Sequence, residues 1–287
     1  MHTRTTSLIA FLTVFTILGI TLVLAQPSLT PPAGPIDESG RFGTLIELND
    51  DTAPGAGVYA HVITTPGSYI LTGDIDAGSG SGVEIRAADV TLDLNGYTIR
   101  GTGEDGVSVP EVTGTSPVET PGITLRNGNI VGFTTGVRAF SRGFGTTSSS
   151  DGVRLDDLQI RATRTGITAR SARITDCAVQ APVTGIDADF SVIDGSELRL
   201  AGNTNAFIVA AIDTNDSTIS RTVIDRSRSE SSTPRGFDVS RTLVSASSVH
   251  GGGTGFALGD DSVANGCVST AASNFVGASA ATFNSNF

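Results

Sequence analysis

The chain has no tryptophan and no lysine, and among its 287 residues only 2 cysteines, 1 methionine and 6% aromatics. All 18 basic residues are therefore arginines, set against 29 acidic ones, for a formal net charge of −11. That excess of acid removes nucleic acid as a partner, because phosphate binding needs a basic face. It keeps the surface soluble and is compatible with cation binding, but it names no ligand. With hydrophobic content of 38% and so few rings, the core must be built from Val, Ile, Ala and Thr. Those residues favour strands. Beyond residue 26 no segment carries the i, i+3, i+4, i+7 apolar stripe of an amphipathic helix. No Zn-type Cys/His spacing, nucleophile elbow or phosphate loop is present.

Glycine is abundant, with 35 residues, and it recurs in frame. The pattern Gly-apolar-x-apolar occurs at Gly82-Val83-Glu84-Ile85, Gly106-Val107-Ser108-Val109, Gly136-Val137-Arg138-Ala139 and Gly166-Ile167-Thr168-Ala169. It continues at Gly185-Ile186-Asp187-Ala188, Gly236-Phe237-Asp238-Val239 and Gly255-Phe256-Ala257-Leu258. A copy without its glycine, Ala206-Phe207-Ile208-Val209, falls in the one wide gap, giving steps of 24, 30, 30, 19, 21, 30 and 19 residues. Such self-similarity predicts a stack of repeating units. Within each unit the two apolar positions flank a variable one, which is period-two alternation with one face in and one out. A second strand follows, as in 90–94 or 123–125, and closes on an Asn, Asp or Gly corner: Asn95-Gly96, Asn127-Gly128, Asp176, Asp194-Gly195, Asn265-Gly266. These residues tolerate the left-handed backbone that a sharp corner requires. A third short strand, such as 97–99 or 129–131, leads back to the next glycine. Short strands, corners and no helix describe a coil whose strands pair with the coil above, at about 4.8 Å per layer. Leucine-rich repeats, propellers and left-handed hexapeptide helices fit the drifting period less well.

The runs VTLDLNGYTIRG (90–101), ITLRNGNIVGFTTGV (123–137) and TPGSYILTGDI (65–75) resemble secreted bacterial proteins of the pectate-lyase-like superfamily. The resemblance covers about residues 62–277 and implies an all-β fold: a single-stranded, right-handed parallel β-helix, a solenoid of about eight coils with an N-terminal strand cap. For activity it is open, because that superfamily holds lyases, hydrolases, epimerases and adhesins. The consecutive-Asp and His-Gly signatures of polygalacturonases and the Asp-His run of pectate lyases cannot be placed here.

The N-terminus reads as a targeting segment. His2 and Arg4 precede an apolar or hydroxyl-bearing run from Leu8 to Ala25, and Val23-Leu24-Ala25 offers a cleavage site. This is the pattern of a secretory signal over 1–25. The run also has the length of a minimal membrane span, so an uncleaved anchor is the alternative. Residues 26–61 form a lead-in and N-terminal cap, and 62–287 the β-helix. Either way the bulk of the chain is expected outside the cytoplasm, in the periplasm, at the cell surface or secreted.

Stacking carries two structural expectations. Cys177 and Cys267 occupy like places four coils apart, about 19 Å, so no bridge joins them and both thiols are buried. Phe207, Phe237 and Phe256 form an internal aromatic ladder. Loops at 111–121 and 141–151 stand side by side as a ridge, and 226–235 forms a third loop. The outward positions beside that ridge give the candidate binding surface: Arg138 and Phe140, Arg170, then Asp187 and Asp189. Two carboxylates a coil away from arginines supply calcium ligands or an acid–base pair acting on an acidic sugar. An inter-strand ion-pair ladder is the plainer reading of the same residues. His61 falls in the N-terminal cap and His250 at a distant corner, so neither joins them. The leading expectation is a non-catalytic extracellular module whose loops and acidic strand face bind a polysaccharide or a cell-surface partner. The alternative is a polysaccharide lyase or hydrolase acting on uronate-containing glycans through Arg138, Arg170, Asp187 and Asp189, with Ca²⁺ at the two aspartates.

Overall fold

The computed structural model describes residues 45–51, 57–110, 122–140, 152–202, 210–229, 235–251, 253–270, 273–277 and 282–284. The segment 1–25, the lead-in to residue 44, the loops 111–121 and 141–151, the centre of the loop at 226–235 and the copy at Ala206 to Val209 lie outside the described residues. Among the described residues every element is a strand and pairing is parallel throughout. No helix there is long and apolar enough to cross a membrane.

Ten strands make the first face of the coil: Tyr59–Ile63, Ser81–Ile85, Asp105–Val109, Thr135–Phe140, Thr165–Arg170, Thr184–Asp189, Ala210–Asn215, Arg235–Ser240, Thr254–Leu258 and Ser273–Gly277. A second sheet of eighteen strands turns a corner and so carries two further faces. Strands Thr124–Val131 and Arg154–Arg161 run through that corner and belong to both. The chain is thus an all-β parallel β-helix, built by stacking like residue on like residue. Val107, Val137, Ile167 and Ile186 lie in register on successive rungs and are fully buried. On the other faces Leu92, Leu125, Leu155, Ile174 and Ile193 do the same.

The recurrent glycine has a steric cause. A Cβ at Gly166 would sit 2.5 Å from the Gly185 carbonyl oxygen and 2.1 Å from Val179 Cγ1. At Gly106, Gly136 and Gly236 a Cβ would lie 2.4 to 2.6 Å from the carbonyl of the next rung. Successive coils approach too closely at this column for a side chain.

The register corrects the sequence reading in one place. The strand that continues the first face between Thr184–Asp189 and Arg235–Ser240 is Ala210–Asn215, with Ile212 between Ile186 and Phe237. Ala211 takes the glycine position, and Thr214 stands where the second apolar residue was expected, buried at 1% exposure. Its hydroxyl is satisfied internally by Ser217, so a polar residue fits the inward phase. Ile212 fills the rung expected for Phe207 in the aromatic ladder, and Phe207 itself lies outside the described residues. The remaining pair stacks as expected, with Phe237 and Phe256 centroids 4.8 Å apart and planes 7° from parallel. Strands Tyr59–Ile63 and Ser273–Gly277 extend the first face beyond the eight repeats visible in the sequence.

The corners follow the Asn/Asp/Gly reading. Asn95, Asn127, Asp176, Gly195 and Gly266 all have φ between 50° and 64°. Arg221 and Ala246 hold the same corner at φ 48° and 44° on later coils. On the later coils a buried hydroxyl or thiol comes directly after the corner. Cys177, Ser196, Thr222, Ser247 and Cys267 follow one corner, and Ser191, Ser217, Thr242 and Ser262 the other, where the column starts from the buried Ala172. The hydroxyls of Ser191, Ser196, Ser217, Thr242, Ser247 and Ser262 accept the backbone N–H of the corresponding residue on the preceding coil, as in Ala172 N to Ser191 Oγ at 3.0 Å and Ser191 N to Ser217 Oγ at 3.0 Å. Each satisfies an N–H that the bend takes away from the carbonyl ladder. The two thiols terminate one such column, four rungs apart, and both are free and buried.

Candidate functional site

With Ala210–Asn215 in register, the outward middle column of the first face reads Arg138, Thr168, Asp187, Asp213, Asp238, Ala257. Three aspartates occupy consecutive rungs, about 4.8 Å apart. Asp187 and Asp213 are exposed and Asp238 is half-buried. Beside them, Asp189 accepts from the Asn215 backbone N–H at 3.1 Å and its Nδ2 at 2.9 Å. Arg170 lies across the rung from Asp189, with N···O 3.7 Å. Arg235 pairs with Asp238 on its own strand.

The electrostatics follow from this crowding. Lost hydration above the sheet pushes the Asp213 carboxyl up to about 6, and repulsion from Asp187, Asp238 and Asp189 adds to it, with Arg235 pulling the other way. Asp187 also rises, first through lost hydration and then through Asp189. A carboxyl with a pKa near 6 both holds and releases a proton close to neutrality.

The residues singled out in the sequence are dispersed along the face. Arg138 stands two rungs from Asp187, about 10 Å. It donates from Nε to Asp105 and from a terminal nitrogen to Glu104, each at 2.8 Å. Phe140 lies opposite Arg170 by backbone register; its side chain is outside the described set. Asp187 and Asp189 share one strand, on alternate outward positions. Their donor set does not fit a calcium cage. Asp189 already holds Asn215 and faces Arg170, whereas Ca²⁺ takes six to eight oxygens. Among the described residues no group of three or more His, Cys, Asp or Glu could hold a metal.

The outward phase does not guarantee exposure. Strands Ser81–Ile85 and Asp105–Val109 are buried on both sides, so Glu84 and Ser108 in the middle column are covered, as is Asp105. Burial raises the Asp105 carboxyl against the pull of Arg138. His61 points into the bore of the first coil, 2% exposed and with no partner for Nδ1 among the described residues. Its pKa falls through burial, opposed by Asp50. His250 lies exposed on the third face. Neither histidine reaches the aspartates.

Asp213 is the functional candidate that the sequence pattern missed. The displaced copy put Ile208 in its slot, between Asp187 and Asp238, and so interrupted the acid column.

No protein-family model matches the chain, and no curated protein does. Solved structures do. The chain is similar to the surface adhesin PfbA of Streptococcus pneumoniae, at 14% identity over 82% of this chain and 78% of that one, with a TM-score of 0.39. It is similar to the enzymatically active domain of bacteriophage CBA120 tailspike protein 2, at 12% identity over 84% of this chain and 42% of that one, TM-score 0.46. It is also similar to Dex49A from Penicillium minioluteum, at 12% identity over 90% and 58%, TM-score 0.35.

Proposed function

We propose that the first face is a glycan-binding surface centred on Asp187, Asp213 and Asp238, in a protein that works outside the cytoplasm. The observation that carries this is the stacking of three like charges in register. Like charges directly opposite on neighbouring strands are destabilising, and at Asp213 repulsion from Asp187 and Asp238 adds to the rise that lost hydration produces. Folding alone favours an arginine across from each acid, the arrangement of Arg170 and Asp189. A row of strong acceptors at a regular pitch suits a polymer that repeats hydroxyl donors along its length. Asp189, Arg170 and Arg235 flank the row and extend its hydrogen-bonding width. The acid column repels a polyanion, so the ligand we assign to this face is a neutral polysaccharide rather than a uronate polymer.

A second reading, glycan hydrolysis, is favoured by one observation: Asp213 has the raised pKa that a general acid needs. In that reaction the protonated Asp213 gives its proton to the glycosidic oxygen as the C–O bond breaks, and the Asp187 or Asp238 carboxylate, one rung away at about 5 Å, bonds to the anomeric carbon. Water then displaces that carboxylate from the sugar and returns a proton to Asp213, the course followed by retaining glycosidases at this separation.

A polysaccharide array probed with the full chain and with Asp213→Asn, followed by reducing-end analysis, tests both. Binding of a neutral glycan, weakened by D213N and without product, supports the binding surface. New reducing ends that vanish in D213N support hydrolysis. Absence of any glycan binding, or binding that D213N leaves untouched, overturns the assignment.

A further inference from the structure

The third face of the coil carries a groove of about 500 Å³ that the acid column does not reach. Two outward columns build it, one running Gln159, Ala178, Glu197 and the other Arg161, Gln180, Arg199. Ala178 is the short residue among long ones. With Gln159 on the rung before and Glu197 on the rung after, its exposed methyl leaves a socket one rung wide. Gln180 edges the socket, and Arg161 and Arg199 stand one rung to either side of it. Arg199 Nε donates to Glu197 at 3.0 Å, so that pair is neutral.

Asn129, beside Gln159 on the rung before, donates its amide to the Gly96 carbonyl at 3.2 Å. With the described residues, the side chains of Gln159, Arg161 and Gln180 make no hydrogen bond or ion pair. In a chain of net charge −11, this socket thus carries one uncompensated positive charge. Two primary amides sit beside it, each with two donors and one acceptor, the complement of adjacent sugar hydroxyls. A guanidinium takes a carboxylate in a bidentate fork, which a neutral ligand cannot reproduce.

We propose that this groove binds an acidic saccharide, with its carboxylate on Arg161, its hydroxyls on Gln159 and Gln180, and its ring over Ala178. The site is independent of the first face and selects the opposite charge. It is tested by calorimetric titration of the full chain with three probes: cellotetraose, its C6-carboxylate form, and succinate. The carboxylated tetrasaccharide should bind saturably, with the other two weaker by roughly tenfold, the value of one charge-assisted hydrogen bond. Arg161→Gln and Ala178→Phe, both at exposed positions, should each weaken it by about the same factor without changing the melting temperature. Asp213→Asn should leave it intact. The proposal is overturned if Arg161→Gln weakens cellotetraose binding as much as binding of the carboxylated probe, if both groove variants bind the carboxylated probe like wild type, if D213N abolishes that binding, or if no probe binds saturably.

Discussion

Replacing Asp213 by Asn removes the central charge of the acid column and keeps the shape of the side chain. Its neighbours Asp187 and Asp238 lie one rung away on either side, at about 4.8 Å. Two unit charges at that distance repel by on the order of 1 kcal/mol in the dielectric of water, and salt reduces this further. Arg235 offsets part of the remainder. A carboxyl raised from 3.8 to about 6 holds its proton more tightly in the folded chain than in the unfolded one. Its charge therefore opposes folding above the folded pKa, and the penalty fades as pH falls from about 6 toward 4. Because Asp213 is exposed, solvent screening cuts the full linkage energy to about 1 kcal/mol. D213N should accordingly melt about 2 to 4 °C above wild type near neutral pH, and the gain should shrink to nothing near pH 4. Thermal melts across that range at fixed ionic strength measure it. A variant that is no more stable at neutral pH, or whose gain is the same at every pH, would refute the electrostatic account of the column.

Three further outcomes are expected. Gly166→Ala pushes a methyl against the Gly185 carbonyl and Val179 and should cost about 1 to 3 kcal/mol; an unchanged urea midpoint would contradict the close approach of coils. Ser217→Ala removes the acceptor of the Ser191 N–H, so a buried donor is left unsatisfied at about 1 to 3 kcal/mol, and Ser217→Thr should recover most of that in the same denaturation assay. Burial pushes the Cys177 thiol up to about 12 and raises Cys267 as well, so a thiol reagent should label neither in native protein and both in denaturant; rapid native labelling would place them outside the core.

The inward side of this fold was legible in the sequence because it repeats along the chain. Val83, Val107, Val137, Ile167 and Ile186 each follow a glycine and precede a second apolar residue two places on. That pattern records two local demands, alternation across a strand and bare backbone where coils touch. The corners were legible for the same reason, since Asn95, Asn127 and Asp176 answer to the backbone angle at their own position. Arg221 and Ala246 were not, because by then the hydroxyl columns and neighbouring rungs hold the bend whatever the residue. Burial of Glu84 and Ser108 was illegible too, since coverage of an outward face depends on what lies over it rather than on strand phase.

The outward side is a different problem, because its meaning lies across coils rather than along them. Asp187, Asp213 and Asp238 are 26 and 25 residues apart, and no local pattern joins them. They become a column only when every intervening loop is given its true length. Matching Phe207-Ile208-Val209 instead of Ile212-Asp213-Thr214 shifts the frame by five residues and replaces the central acid by an isoleucine. Apolarity favours the first match, but Thr214 fits the inward phase because its buried hydroxyl has a partner in Ser217. The same register brings Gln159, Ala178 and Glu197 into one line on another face. In a solenoid with loops of unequal length, the core can be read one repeat at a time, whereas a surface site exists only in the alignment of repeats. Both proposed surfaces, the acid column and the Arg161 socket, stand or fall with that alignment.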